Sequence, residues 1–471
     1  MLKSKKFNTE YIIMKTNRFI TLTLILGVFS IASCDSALNT NPTASIDTEI
    51  ALTNAENVAS VLVGAYDAIG DGNLYGGWLL MIPDFLAESN EFTFTGTFFA
   101  PRAIYLKSQL YDNGQSSATW IQAYDAINIV NNVISALDLI EDADVRERIE
   151  GEAKFIRGAV YFELVRLFAP TFESGNANNQ AGVPLVLTPT ASIGEANNVE
   201  RASVSAVYTQ ILADLGDAKT LLDDTNPVES YYVNSMVASA FLSRVHLQMG
   251  NYADARDEAH RVIQSNNYIL TPTYEEAFNN GTNSTEDIFA MQVSGQDGVN
   301  SLFTFYSADS RGDVDIKPSH LDEYEAGDDR LNLFYNDPFE PSIIRSGKWN
   351  ESTNGNVSIV RLAEMYLTRA EAIARVGPGT TGATAEGDLF KVRDRVNLPL
   401  IVAPTVAQIL QERKVELIFE GNLLHDIKRT QGTVGARAYD DDKLVLPIPR
   451  RELDTNPNLC QNASYQGTSC Q

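Results

Sequence analysis

The chain has 471 residues, of which 36 are Lys or Arg and 61 are Asp or Glu, giving a net charge of −25. No basic patch interrupts that excess, so the counterion release that drives nucleic-acid binding has no footing here, and neither does a peripheral grip on anionic lipid. The composition suits a solvated surface offered to neutral ligands, and the length is enough for a large hydrophobic core.

Lys15 and Arg18 precede an apolar run from Phe19 to Ala32 that closes on Ile31-Ala32-Ser33-Cys34. A bilayer span needs about 20 apolar residues, so this shorter run reads as the core of a signal peptide, residues 1–33. Met14, just before Lys15, is an alternative start that gives the same mature chain. The small residues before the cysteine resemble a lipobox, which makes Cys34 the lipid attachment point. A plain secretory signal with an ordinary thiol is the competing reading. No second apolar run approaches spanning length, so contact with a membrane is expected only through this N-terminal anchor. With Cys34 acylated, Cys460 and Cys470 remain as a pair near the C-terminus. An oxidising compartment favours a disulfide between them, and two free thiols on the tail are the alternative.

Downstream, apolar residues recur in steps of three and four. Trp120, Tyr124, Ile127, Val130, Ile134 and Leu137 form one stripe, and Ala153, Ile156, Val160, Leu164 and Leu167 another. Val204, Val207, Ile211, Leu215, Ala218 and Leu222 form a third, with Ser203 placed to cap it. The clearest unit runs from Met236 to Ile263, two helices joined by Gly250-Asn251, with alanines where the pair would cross. A pair of this size resembles a tetratricopeptide repeat, and helices at 359–376 and 405–421 can supply further pairs. The expected fold class is all-α. Near 71–117, 171–200 and 267–356 glycine, proline and asparagine break the periodicity, so the helical scaffold carries long loop-rich insertions. Within the last of these, Ile288 to Val293 reads as a short strand or buried extended piece.

Chemistry-bearing motifs are sparse. There is no Gly-x-Ser-x-Gly elbow and no His-Glu-x-x-His, and Gly347-Lys348 lacks the preceding glycine of a phosphate loop. His246, His260, His320 and His425 are scattered, and the first two read as helix-surface residues rather than metal ligands. Asp440-Asp441-Asp442 has the clustered carboxylates that bind calcium, but a solvated acidic turn explains them as well. No metal and no cofactor is expected. Arg413, Glu416 and Glu420 are spaced to share one helical face as ion pairs at the surface or between helices.

Sugar rings are held by flat apolar faces flanked by hydrogen-bonding groups, and two insertions offer that mixture. The first contains Tyr75, Trp78, Phe92, Phe94, Phe98 and Phe99 with Asn90, Glu91 and Arg102; the second contains Phe303, Phe305 and Tyr306 with Gln296, Asp297 and Asn300. Tyr75, Trp78, Phe92, Phe94, Phe303 and Tyr306 are the candidate binding residues. Core packing is the bland alternative for each, and the alternation of Phe92 and Phe94 suggests a strand with one buried face.

Seven segments stand in a recognisable order: Leu62-Val63-Gly64-Ala65-Tyr66, Ala153-Lys154-Phe155-Ile156-Arg157 with Leu164-Val165, Val183-Pro184-Leu185-Val186, and Arg201 to Leu222. Ile359 to Ala372, Glu412 to Leu417 with Glu420-Gly421, and Leu446-Pro447-Ile448-Pro449 with Asn456-Pro457 follow. In order and spacing these segments are similar to the SusD/RagB family. Leu423, Leu424, Gly158 and Ala169 depart from the family pattern within scaffold helices. The resemblance implies a lipidated N-terminus and linker at 34–50 and a SusD-like helical domain over 51–471. It further implies a non-catalytic protein of the outer membrane, facing outside, that binds oligosaccharides for nutrient uptake. A SusC-like TonB-dependent transporter, over which the lipoprotein acts as a lid, is the implied partner. A lipid-anchored hydrolase, or a lid subunit for a peptide-importing transporter, are the rival readings.

Overall fold

Most helices form where the three-and-four spacing predicts them, although the one expected at 359–376 begins only at Leu362, after a strand, and the one expected at 405–421 ends at Leu417. Many begin where a side chain satisfies free amides of the first turn. α1 (Ala55–Gly70) is capped by Asn54, and α2 (Trp78–Ala87) leads to β1 (Phe92–Phe94) and α3 (Phe99–Tyr105). α4 (Gly114–Ser135) and α5 (Ala143–Phe168) start at Asn113 and Asp142, each accepting two backbone amides. After β2 (Ala181–Pro184) and β3 (Arg201–Ser203), the Ser203 side chain caps α6 (Val204–Leu221). α7 (Ser235–Met249) and α8 (Tyr252–Gln264) form the repeat-like pair, turning at Gly250-Asn251 as expected. Then come β4 (Asp287–Met291), α9 (Ser301–Tyr306), β5 (Val314–Ile316), α10 (Pro318–Leu321), β6 (Phe334–Asn336) and β7 (Ile344–Ser346). β8 (Val357–Arg361) runs into α11 (Leu362–Val376), followed by α12 (Ala385–Arg395), α13 (Val406–Leu417) and α14 (Leu423–Arg429). A small ladder, β9 (Thr433–Val434) with β10 (Arg437–Ala438), and α15 (Arg450–Thr455) complete the order.

This is a computed structural model that describes residues 52–471 except 191–197, 230, 295–299, 353 and 471. The signal segment, Cys34, the linker, Gln296 and Asp297 therefore lie outside the described residues.

The scaffold is built of neighbouring antiparallel helices: α5 packs on α6, α7 on α8, and α11 on α8, α12 and α13. Two glycines on α5 set how closely α6 approaches. A Cβ at Gly158 would stand 3.1 Å from Leu215 Cγ, and one at Gly151 only 2.7 Å from Leu222 Cγ. Across the same interface Arg157 makes a two-pronged contact with Asp214, at 2.9 and 2.7 Å. The largest core cluster joins α1, α2, α4, α5, α6 and α7, and a smaller one lies between α11, α12 and α13. At the C-terminus Cys460 and Cys470 are bonded, with Cα atoms 4.9 Å apart.

The insertions are less irregular than their composition suggests. Residues 71–117 hold α2, β1, α3 and the start of α4, and residues 267–356 hold β4, β5, β6 and β7 with α9 and α10. One antiparallel sheet, in the order β1-β5-β7-β6, unites the two, with Phe92 opposite Ile316 and Phe94 opposite Val314. The expected strand at 288–293 is β4, paired with β8.

Arg413, Glu416 and Glu420 do not share a helix face. α13 stops at Leu417, so Glu420 is outside it. Arg413 reaches Asp426 at 2.7 Å and Glu364 at 3.3 Å, whereas fully buried Glu416 meets Arg330, Arg361 and Arg395. Burial alone would raise the Glu416 carboxyl, but Arg395, Arg361, Arg330 and Lys348 together hold it at about 2. Two further charged segments serve the backbone: Asp328 caps the turn at Asp329–Leu333, and the acidic run at 440–442 is a polar turn in which Asp441 pairs with Arg437.

A folded-state value of about 2, against 4.5 ordinarily, means that the stability contributed by the Glu416 charge is complete above pH 4.5. It is lost as pH falls through 2. Urea unfolding of the wild type is expected to show declining stability across this window, with a shallower decline in Glu416→Gln. At neutral pH the variant is expected to be about 3–5 kcal/mol less stable, because three guanidinium groups lose a shared buried partner. Equal stability and equal acid slopes would show that the network does not hold the fold.

Candidate functional site

All six aromatic candidates are interior residues, which corrects the expectation that they present a face to solvent. Tyr75 is buried and donates from its hydroxyl to Glu163 Oε1 at 3.1 Å. Burial, with Glu163 alongside, keeps that phenol well above its ordinary range. Trp78 begins α2 and lies edge-on to Phe85 at 6.1 Å and to Phe305 at 5.3 Å. Phe92 and Phe94 point inward from β1 on either side of exposed Thr93. Phe303 and Tyr306 are buried on α9, where Tyr306 packs against Phe419 at 5.3 Å. The physical reason is that α2, β1 and α9 meet in one place and bury their rings against each other. Burying a large aromatic gains more than any exposed contact would.

This aromatic layer is the floor of a different surface. Beyond Phe94, the Thr95 amide continues the ladder to the Asp313 carbonyl at 2.8 Å, and then the chain leaves the sheet. Gly96 allows the exit: a Cβ there would lie 2.3 Å from the Phe94 ring and 2.8 Å from Asp313 Oδ2. The next two aromatic residues are outside, with Phe98 50% and Phe99 77% exposed. Phe98 rests edge-on against Phe305 at 6.4 Å, so it is tied to the floor through a single ring.

Two guanidinium groups flank these rings. Arg311 lies 4.0 Å from the Phe98 ring centre and is held there by Asp313, its Nε donating to Oδ2 at 2.7 Å. Arg102, exposed on α3, donates to the Gly96 carbonyl at 3.2 Å. The result is an apolar platform with pre-positioned donors on a rigid base, the combination that recognises a polyhydroxylated ring. Asp313 lies against this surface and holds Arg311 in place. Phe98, Phe99 and Arg102 were visible in the sequence as members of the first loop-rich segment. Nothing local distinguished them from their buried neighbours, and Arg311 carried no signal at all.

Three of the four histidines are held within the scaffold. His320 and His425 are buried, and His260 contacts Arg369 at 2.8 Å through a ring nitrogen. Among the described residues no group of three or more His, Cys, Asp or Glu is arranged to hold a metal ion. No described helix is long and apolar enough to cross a membrane.

Comparison with known proteins matches residues 38–247 to a family described as starch-binding and associating with the outer membrane, and residues 344–443 to the SusD family. The chain is 24% identical to SusD-like protein P2 of Formosa agariphila, over 94% of this chain and 98% of that one. A putative sugar binding protein from Bacteroides vulgatus has a similar structure, with a TM-score of 0.79 and 26% identity over 88% of this chain and all of that one. A laminarin binding SusD-like protein shares the fold, with a TM-score of 0.72 and 21% identity over 88% and 100% of the two chains. With both family matches in chain order, and a helical scaffold common to the solved relatives, the chain belongs to the SusD/RagB family of outer-membrane-associated, glycan-binding proteins.

Proposed function

We propose that the protein is a non-catalytic, lipid-anchored subunit that captures oligosaccharides at the Phe98–Phe99 surface and delivers them to a SusC-like TonB-dependent transporter. The observation that carries this reading is the exposure of Phe98 and Phe99 beside Arg102 and Arg311, on a floor of buried aromatic rings. The platform stacks on the C–H face of a sugar, and the guanidinium groups donate to its hydroxyls. A glycosidase would instead require two carboxylates about 5–10 Å apart across a cleft, one of them free to give up a proton. The laminarin-binding relative makes β-glucan oligomers the first ligands to try.

Truncation separates platform from floor. Phe99→Ala and Arg311→Ala are each expected to weaken binding of laminari- or malto-oligosaccharides about tenfold in titration calorimetry, a loss of about 1.4 kcal/mol, with unchanged melting temperatures. Trp78→Ala is expected to behave oppositely, destabilising the fold by about 3–5 kcal/mol because it opens a cavity in the floor. Unchanged affinity in Phe99→Ala would remove this surface from the binding role.

The anchor and partner have their own test. Cys34→Ala is expected to yield a folded protein that no longer takes up lipid label or sediments with membranes. The native lipoprotein is expected to co-purify with a large outer-membrane barrel through detergent and moderate salt, as a wide permanent interface would. Recovery only as an isolated species would overturn the transporter partnership.

A further inference from the structure

A second concave site lies away from the Phe98 ring, between the C-terminal half of α1, the end of β4 and the segment before α7. It encloses about 390 Å³, within the range of roughly 300–1,000 Å³ typical of small-ligand sites. Its distinguishing feature is a ladder of three tyrosines. Tyr232 stacks on Tyr66 with ring centres 4.6 Å apart and planes 26° apart, and Tyr231 stands nearly perpendicular to Tyr232 at 5.0 Å. Tyr231 is the outermost, 36% exposed although its neighbours are packed.

The segment bearing Tyr231 and Tyr232 is fastened from beneath by fully buried Glu152. The Tyr66 hydroxyl donates to Glu152 Oε2 at 2.7 Å and accepts from the Val233 amide at 3.1 Å. Asn226 Nδ2 donates to Glu152 Oε1 at 3.0 Å and to the Val233 carbonyl at 2.9 Å, while Arg148 neutralises the carboxylate at 2.7 Å. On the opposite wall, Gln292 is locked by Asn283 at 2.7 Å and Asn356 at 2.9 Å. Both walls are therefore ordered before any ligand arrives, which lowers the entropy cost of binding.

We infer that this cleft is a second carbohydrate site, taking a neutral sugar unit against Tyr231 and Tyr232. The lining contains the carboxylates of Asp67 and Asp71 and the amides of Gln122 and Gln292, but no Lys, Arg or His. An anionic ligand would meet two like charges with no cation to offset them, on a chain already at −25. The carboxylates instead accept from hydroxyls, Gln122 keeps a second amide hydrogen beyond the one it gives to the Ala68 carbonyl, and a fixed tyrosine offers the flat face that a pyranose requires. The inference shares with the proposed function the premise that the protein binds carbohydrate, but it concerns different residues.

The test is calorimetry with trisaccharides, short enough that one molecule is unsuited to bridging two separate sites. Laminaritriose and maltotriose are the neutral probes, and an alginate trimer is the acidic one. The wild type is expected to bind two neutral molecules per chain. Tyr231→Ala is expected to weaken one of the two sites at least about tenfold without shifting the melting temperature, while Tyr231→Phe retains both, and the alginate trimer is not taken up at the Tyr231 site. The reference variant Phe99→Ala weakens the other site about tenfold. One site in the wild type, weakened by Phe99→Ala and indifferent to Tyr231→Ala, would overturn this inference and leave the proposed function standing. Tyr231-dependent binding of the alginate trimer would overturn the neutral-ligand assignment, and failure of both neutral probes on the wild type would overturn both readings.

Discussion

Glu416 is an anion with no access to water, and the chain is arranged around the cations it requires. Arg330, Arg361 and Arg395 come from three distant segments to meet it, and Arg361 extends the network to Glu420 at 2.8 Å and onward to Glu286. Lys348 joins from another strand connection, donating to Glu420 at 2.6 Å and to the Ile418 carbonyl at 2.8 Å. Charges this deep are tolerated only when each has partners and good geometry. The requirement fixes the path of residues 416–420, including Phe419 at a backbone φ of +63°. That position is held further by Trp349, whose indole donates to the Phe419 carbonyl at 3.0 Å.

From Phe419 the constraint passes directly to the binding surface. Its ring packs against Phe92 at 6.1 Å and Tyr306 at 5.3 Å, two members of the floor beneath Phe98. The floor is thus supported from behind by a charged network and from the side by pairing of β1 with β5. Each support joins residues far apart in sequence. The tip carrying Phe98 and Phe99 touches the floor only where Phe98 meets Phe305, so these exposed residues can vary while the base stays intact.

How much of this was legible in the sequence follows from the range of the interactions. The stripes at 120–137 and 153–167, the Ser203 cap and the α7–α8 turn depend on neighbours within a few residues, and all are present in the structure. The inward direction of Phe92 and Phe94 was likewise readable from alternation, since a strand places every second residue on one face. Which aromatic residues would emerge was not readable, because it depends on where β1 leaves β5 and on α9 arriving beneath it. Arg311 acquires its role only by lying over Phe98, more than two hundred positions earlier in the chain. Spacing placed Arg413 and Glu416 on one face, and three residues along a helix do leave them only about 60° apart, but their side chains diverge to separate partners on different segments, which spacing does not reveal. Tyr231 and Tyr232 fall in a short polar connection without periodicity, and they are fixed by Tyr66 and Asn226, both held by Glu152 on another helix.

The distribution of charge bears on which ligands the proposed surface would admit. Arg157, Arg244, Arg330, Arg345, Arg361, Arg369, Arg393, Arg413 and Arg429 are all buried or nearly so, each beside a carboxylate. These pairs cancel internally, so the net −25 falls on an exterior from which many of the 36 basic residues have been withdrawn. An acidic polymer approaching such a surface is repelled over about a Debye length, roughly 8–10 Å in physiological salt. A neutral glycan feels no such field and is sorted instead by stacking and hydrogen bonds at contact. Against that background the exposed guanidinium groups of Arg102 and Arg311 are short-range donors: Arg311 is paired with Asp313, and both lie beside an aromatic platform suited to hydroxyl-rich rings. Burying most of the arginine to hold the scaffold therefore also biases the outside toward uncharged ligands, linking the stability of the fold to what its surface admits.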